Sequence, residues 1–183
     1  MDFQSNRFYH IISYGCQANM SDSEHYAGQL EELGYHNTED LDTADVILIN
    51  TCCVRETAED KTLGKIGELK HLKKQNPDLI IAVTGCMAQE WQDKLFKRAP
   101  HIDLVIGTHN IHKLIELIRE RRSKADHYMA ADMTLPAFHD MPVKRFQKFF
   151  AWIPIMNGCN KFLFKYKFLW NFMLSGFFRL SVR

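Results

Sequence analysis

Three apolar, strand-like runs each pass through a small or polar turn residue straight into a cysteine. They are Phe8 to Tyr14 through Gly15 to Cys16, Val46 to Asn50 through Thr51 to Cys52, and Leu79 to Thr84 through Gly85 to Cys86. A single parallel sheet brings such endings to one edge, and with them thiols that lie far apart in the chain. In open α/β sheets the ligand crevice lies beyond the carboxyl ends of the strands, so the three thiols fall where such folds keep their chemistry.

The intervening segments read as helices. Ser21-Asp22-Ser23-Glu24 has the form of a capping box, Ala27, Leu30 and Leu33 follow at helical spacing, and Gly34 is a stop signal. A charged helix is predicted from about Glu56 to Gln75, ending before Pro77, and a short one around Gln89 to Arg98. Leu104 to Ile106 reads as another buried strand, and Asn110 caps a helix carrying Ile111, Leu114, Ile115 and Ile118. Strands alternating with helices predict an α/β fold, a doubly wound, mostly parallel sheet with right-handed crossovers. The turns Tyr14-Gly15-Cys16-Gln17-Ala18-Asn19 and Thr84-Gly85-Cys86-Met87-Ala88-Gln89 look alike, which implies similar local geometry rather than a repeat.

This α/β domain is expected over residues 1–122. Residues 123–148, with Pro136 and Pro142, read as a linker that includes an edge strand near His127 to Ala131. A further apolar strand, Phe149 to Ile155, leads through an Asn157-Gly158 turn to Cys159, and residues 163–183 form a tail rich in Phe and Lys. Charge follows the same division. Residues 1–140 carry 15 Lys and Arg against 22 Asp and Glu, whereas residues 141–183 carry 8 Lys and Arg and no acid. The first part, folded alone, does not attract nucleic acid electrostatically. Lys144, Arg145 and Lys148 are expected to be solvated rather than bound to RNA. Arg119, Arg121 and Arg122 suit the C-terminal end of a helix dipole, and Trp91, Leu63, Ile66 and Leu69 read as packing. The longest uncharged run of the tail, Phe168 to Phe178, is too short to span a bilayer. Basic residues interleaved with aromatics suggest an interfacial anchor, but an unselected apolar peptide that promotes self-association and poor solubility is the preferred reading.

The amino-terminal residues have no basic start followed by an apolar core, so secretion is not expected and the thiols should meet a reducing cytoplasm. Five cysteines, an odd number without a compact framework, argue against disulfides. Cys53, adjacent to Cys52, reads as a small buried hydrophobe. Thiolates select zinc, copper(I) or iron–sulfur clusters. Structural zinc sites favour tight cysteine pairs, which are lacking here, although a histidine such as His109 can complete a zinc site. Three ligands on a cubane cluster leave one iron open. Three unrelated buried cysteines are the plainer alternative.

Four motifs together carry a resemblance: Tyr14-Gly15-Cys16-Gln17-x-Asn19, Asn50-Thr51-Cys52-x-Val54-Arg55, Thr84-Gly85-Cys86-x-Ala88-Gln89, and Trp152-Ile153-Pro154-Ile155-x-x-Gly158-Cys159-Asn160. In these, and in their order over residues 7 to about 162, the chain resembles the radical-SAM tRNA methylthiotransferases. It is most similar to those acting on isopentenyl-adenosine beside the anticodon. The resemblance implies an auxiliary [4Fe-4S] cluster on Cys16, Cys52 and Cys86, with iron–sulfur assembly proteins as partners. It also implies a following barrel whose Cys-x-x-x-Cys-x-x-Cys motif holds a second cluster that cleaves S-adenosylmethionine, and tRNA as the substrate.

The chain departs from the family within that last motif. Cys159 stands at its first position, but Leu163 and Tyr166 stand where the other two cysteines belong. One thiolate does not hold a cluster, so residues 149–162 read as a remnant of the barrel's start and Cys159 as a remnant of its motif. This chain alone is expected neither to bind S-adenosylmethionine nor to perform the transfer. A reading-frame shift or a disrupted gene accounts for so abrupt a change; nucleotide sequence with an intact frame, and no shifted frame restoring the cysteines, would exclude it. The alternatives are a non-catalytic zinc or iron–sulfur module and an interaction fragment that docks on an intact homologue.

Overall fold

A computed structural model of the chain describes residues 7–52, 56–132, 141–148, 150–154 and 177–181. Six strands form one wholly parallel sheet: β1 (Arg7–Tyr14), β2 (Tyr35–Asn37), β3 (Val46–Thr51), β4 (Ile80–Gly85), β5 (Leu104–Ile106) and β6 (Tyr128–Ala130). Their spatial order is β2-β1-β3-β4-β5-β6, the doubly wound arrangement expected from the alternation of strands and helices. The helices are α1 (Gln17–Glu32), α2 (Glu56–Gln75), α3 (Cys86–Trp91), α4 (Asp93–Arg98) and α5 (Leu114–Ser123), the last entered through a 3-10 turn at Ile111–Lys113.

The central strands β3 and β4 are buried at every position, as sheets covered on both faces require. Alternate residues divide between two cores. Val46, Leu48, Ile80 and Ala82 pack with Tyr26, Ala27 and Leu30 of α1 and with Leu114, Leu117 and Ile118 of α5. Ile47, Ile49, Ile81 and Val83 pack with Ile66, Leu69 and Leu72 of α2 and with Met87, Ala88 and Leu95 of α3 and α4. The chain therefore winds one way from β1 to β2 and the other way from β3 onward, and the order reverses between β1 and β3. Register brings the ends of three strands level, with Ser13 beside Asn50 beside Thr84, and Tyr14 beside Thr51 beside Gly85.

Helix α1 begins a turn earlier than the sequence pattern predicts. Cys16 is its N-cap, and Asn19 returns its side-chain carbonyl to the Cys16 amide at 3.2 Å, so these two residues make the capping box. Ser21-Asp22-Ser23-Glu24 consequently lies inside the helix, where Ser21, Ser23 and Glu24 are buried. Gly34, with φ of +81°, stops the helix as expected. The single helix predicted around Gln89 to Arg98 is two, divided at Gln92, whose φ is +46°. The short edge strand β2 has no counterpart in the sequence reading, whereas the edge strand expected near His127 is β6.

Two charged arrangements fix the periphery. At the amino end of the sheet the buried Asp103 carboxylate accepts from Lys73 at 2.8 Å, Arg121 at 2.6 Å and the Ile81 amide at 2.8 Å. Arg121 thus has a specific partner beyond the helix dipole. On the outer side of α1, Glu24 is only 2% exposed and accepts from Arg145 at 2.6 Å and from the Phe146 amide at 3.2 Å. Its main-chain carbonyl accepts from the Lys144 amide at 2.9 Å, and the Lys144 ammonium stands 3.1 Å from Glu31. Gly28 faces the Pro142 backbone so closely that a Cβ there would stand 2.5 Å from the Pro142 carbonyl carbon. Residues 141–148 are therefore a strap docked on α1, and Lys144 and Arg145 are engaged rather than merely solvated. Beyond the strap, β7 (Phe150–Pro154) pairs antiparallel with β8 (Phe177–Ser181), so part of the Phe-rich tail is a strand. Cys53, Cys159, Leu163 and Tyr166 lie outside the described residues, and no helix among the described residues is long and apolar enough to cross a membrane.

Candidate metal centre

The three cysteines lie at the carboxyl edge of three adjacent strands. Cys16 follows β1, Cys52 follows β3, and Cys86 opens α3 directly after β4. Cys16 and Cys52 flank the point where the strand order reverses, the place at which open α/β sheets form a ligand crevice. Cys16 is exposed, Cys52 is 3% exposed and Cys86 is intermediate.

The Cys16 and Cys52 thiols are hydrogen-bonded to each other, and this contact, with burial, pushes the Cys16 thiol far above its usual range. The Asn19 and Ala18 amides at the start of α1 pull in the opposite direction. Metal ligands must be deprotonated, so a bound cation reverses this balance.

Beneath the thiols lies a polar layer. Ser13, Asn50 and Thr84 occupy level positions on β1, β3 and β4 and alternate with residues of the core opposite α1. Asn19 and Ser23 of α1 meet this row. The Asn19 amide donates to the Asn50 side-chain carbonyl at 2.9 Å and to the Thr51 main-chain carbonyl at 3.3 Å. Asn50 donates back to the Asn19 carbonyl at 2.7 Å and to Ser23 Oγ at 3.0 Å, and Ser23 meets Ser13 at 2.6 Å. On the other face Thr62 of α2 donates to the Thr51 hydroxyl at 2.9 Å. Asn19 and Asn50 are 1% and 0% exposed, and the network satisfies what burial would otherwise leave unpaired. Gly85 has φ of +90°, and its missing Cβ leaves room for the Thr51 carbonyl and the Asn19 and Asn50 side chains.

One polar group in this region lacks such partners. The Asp22 carboxyl, a turn into α1, makes no hydrogen bond or ion pair among the described residues, and burial pushes it up to about 7. Its charge and burial together raise the Tyr26 phenol, burial being the larger cause.

The donor set is thus three thiols from three strand ends. Sulfurs on one tetrahedral zinc stand about 4 Å apart, given Zn–S bonds of about 2.3 Å. Among the described residues no three His, Cys, Asp or Glu side chains are grouped so as to hold a single metal ion. His109 lies in the turn after β5, beyond the three cysteine-bearing strands, and forms no such group with them. Three thiols from adjacent strand ends are the donor chemistry of zinc or of an iron–sulfur cluster. Asn19 and Asn50 stand in the sequence motifs, but their supporting role was not legible there, because buried polar residues leave no apolar periodicity; Asn50 lies two residues before Cys52 and Asn19 three after Cys16.

Comparison with known proteins gives this edge a context. Residues 8–107, which contain all three cysteines and the polar layer, match the model of uncharacterized protein family UPF0004. A tRNA-2-methylthio-N(6)-dimethylallyladenosine synthase of Dictyoglomus thermophilum is 48% identical over 155 residues, 84% of this chain and 35% of the relative. Synthases of the same name from a Thermoanaerobacter species and from Staphylococcus aureus are 46% and 47% identical over 86% of this chain, which covers 34% and 31% of them. The chain spans about a third of the length of these curated relatives. The match over the cysteine edge, more than half of the chain, places it in uncharacterized protein family UPF0004.

Proposed function

We propose that this chain is the part of a tRNA methylthiotransferase that holds an auxiliary [4Fe-4S] cluster on Cys16, Cys52 and Cys86. The observation that carries the reading is the placement of three thiols on adjacent strand ends around the reversal of strand order, within the segment shared with the synthases. A cluster on three thiolates supplies an iron open to a sulfur species or substrate. The chain's own residues hold that group: Cys16 at the helix terminus, Cys52 from the buried end of β3, Cys86 at the start of α3. The relatives' name supports the substrate class, a tRNA adenosine bearing an N6-dimethylallyl group; a cytoplasmic setting and S-adenosylmethionine as co-substrate of the intact enzyme are part of the same proposal.

With Leu163 and Tyr166 where the radical motif needs cysteines, this chain does not carry out the transfer alone. Its net negative charge over residues 1–140 also leaves tRNA binding to other parts of an intact enzyme. The test is anaerobic reconstitution of wild type and Cys52→Ala, followed by iron and acid-labile sulfide analysis and an absorption spectrum. About four irons and four sulfides per chain, lost in the variant, is the expected result. Zinc or no metal in both proteins would overturn the reading.

A further inference from the structure

Asn19 touches all three cysteine-bearing turns. Its side-chain carbonyl accepts from the Cys16 amide at 3.2 Å and lies 3.6 Å from Cys16 Sγ. Its amide nitrogen donates to Thr51, the residue before Cys52, and to Asn50. The same nitrogen stands 3.0 Å from where a Cβ on Gly85, the residue before Cys86, would be. A Cβ on Gly15, the residue before Cys16, would overlap the Asn19 carboxamide outright. An amide accepts at one end and donates from the other, and both ends are used here. Aspartate lacks the donor, and an apolar side chain lacks both.

The other turn of like sequence is built the same way, which argues against accident. Gln89, three residues after Cys86 as Asn19 is three after Cys16, donates to the Ala131 carbonyl at 2.8 Å. It fills the space of a Cβ on Gly107 as Asn19 does for Gly15. In each case the amide reaches across the next two strands in the sheet, from β1 over β3 to β4, or from β4 over β5 to β6. Gln89, however, ties down strand ends that carry no cysteine.

We propose that Asn19 is a positioning residue for the three thiols: its carboxamide sets the separation of the Cys16, Cys52 and Cys86 turns, and Gly15 is a glycine because Asn19 fills its side-chain space. The consequence for metal loading rests on the function proposed above, whereas the positioning does not. Two readouts keep these apart. In the metal-free full chain, diamide takes two electrons and two protons from a thiol pair, and the rate of Cys16–Cys52 disulfide formation, assigned by peptide mass spectrometry, reports their approach. Asn19→Ala is expected to slow it about tenfold or more, in line with the loss of an outer-shell partner. Gln89→Ala, an equivalent lesion at the same edge, is expected to leave the rate unchanged. Gly15→Ala removes no hydrogen-bonding group yet displaces Asn19, so it should slow the reaction too, and adding it to Asn19→Ala should cost little more. Should Asn19→Ala not fold, Gly15→Ala carries the test. A wild-type rate in Asn19→Ala or Gly15→Ala, or an equal loss in Gln89→Ala, overturns the proposal. Reconstitution is the second readout: wild type that takes up no iron while the disulfide pattern holds removes the cluster reading and leaves the positioning standing.

Discussion

Replacing Asp22 by Asn should stabilise this protein, and only above mildly acidic pH. In the folded chain burial raises the carboxyl from its ordinary 3.8 to about 7 with no partner to offset it. The unfolded chain releases the proton near the ordinary value. Between about pH 4 and pH 7 the folded state therefore holds more proton than the unfolded state, and stability falls as pH rises through that window. The full shift corresponds to about 4 kcal/mol at pH 8, a ceiling because the side chain keeps partial contact with solvent. Asn has nearly the same shape and no charge to bury. Urea denaturation of wild type and Asp22→Asn at pH 4.5, 6, 7 and 8 reads the effect directly. The histidines and other carboxylates titrate alike in both proteins and cancel in the difference. The variant should exceed wild type by no more than about 1 kcal/mol at pH 4.5 and by about 2 to 4 kcal/mol at pH 8. A difference that stays constant across the range, or wild-type stability that rises toward pH 8 faster than the variant's, would refute the account of an unpartnered buried carboxyl.

Two further outcomes follow from close contacts. Gly28→Ala places a methyl against the Pro142 backbone and should free the strap without unfolding the sheet: trypsin should cut after Lys144, Arg145 or Lys148 while the far-ultraviolet circular dichroism stays unchanged. Asp103→Asn leaves the Lys73 and Arg121 charges at the amino end of the sheet without their carboxylate and should cost about 3 kcal/mol in urea denaturation, since breaking a buried pair strands its partners; a loss under about 1 kcal/mol would mean that water reaches the site.

Fold and thiols were legible because both express themselves locally. Runs such as Val46 to Asn50 and Leu79 to Thr84 are nearly pure apolar stretches ending in a turn, and that pattern fixes parallel strands and the edge at which their cysteines gather. The start of α1 was not legible, because Cys16 takes the capping position usually held by Ser, Thr, Asp or Asn, while Ser21-x-x-Glu24 mimics a capping box one turn on. Those polar residues answer to partners remote in sequence: Ser23 to Asn50, Glu24 to Arg145. Likewise the split between α3 and α4 rests on one positive φ at Gln92, a residue with no special preference for it. Site chemistry was visible in residue types; site geometry depended on side chains reaching across strands, which no window along the chain contains.

The strap has a bearing on the order in which the molecule assembles. Glu24 and Arg145 are 121 residues apart, so their pair encloses nearly the whole sheet in one loop of chain. Closing such a loop in a disordered polymer costs about 4 kcal/mol. An ion pair with one partner well exposed returns no more than about 1 to 2 kcal/mol. The contact cannot start folding. It forms over a sheet already built, as a clasp fastened last, and whatever follows residue 148 is set in its place only after the cysteine edge exists.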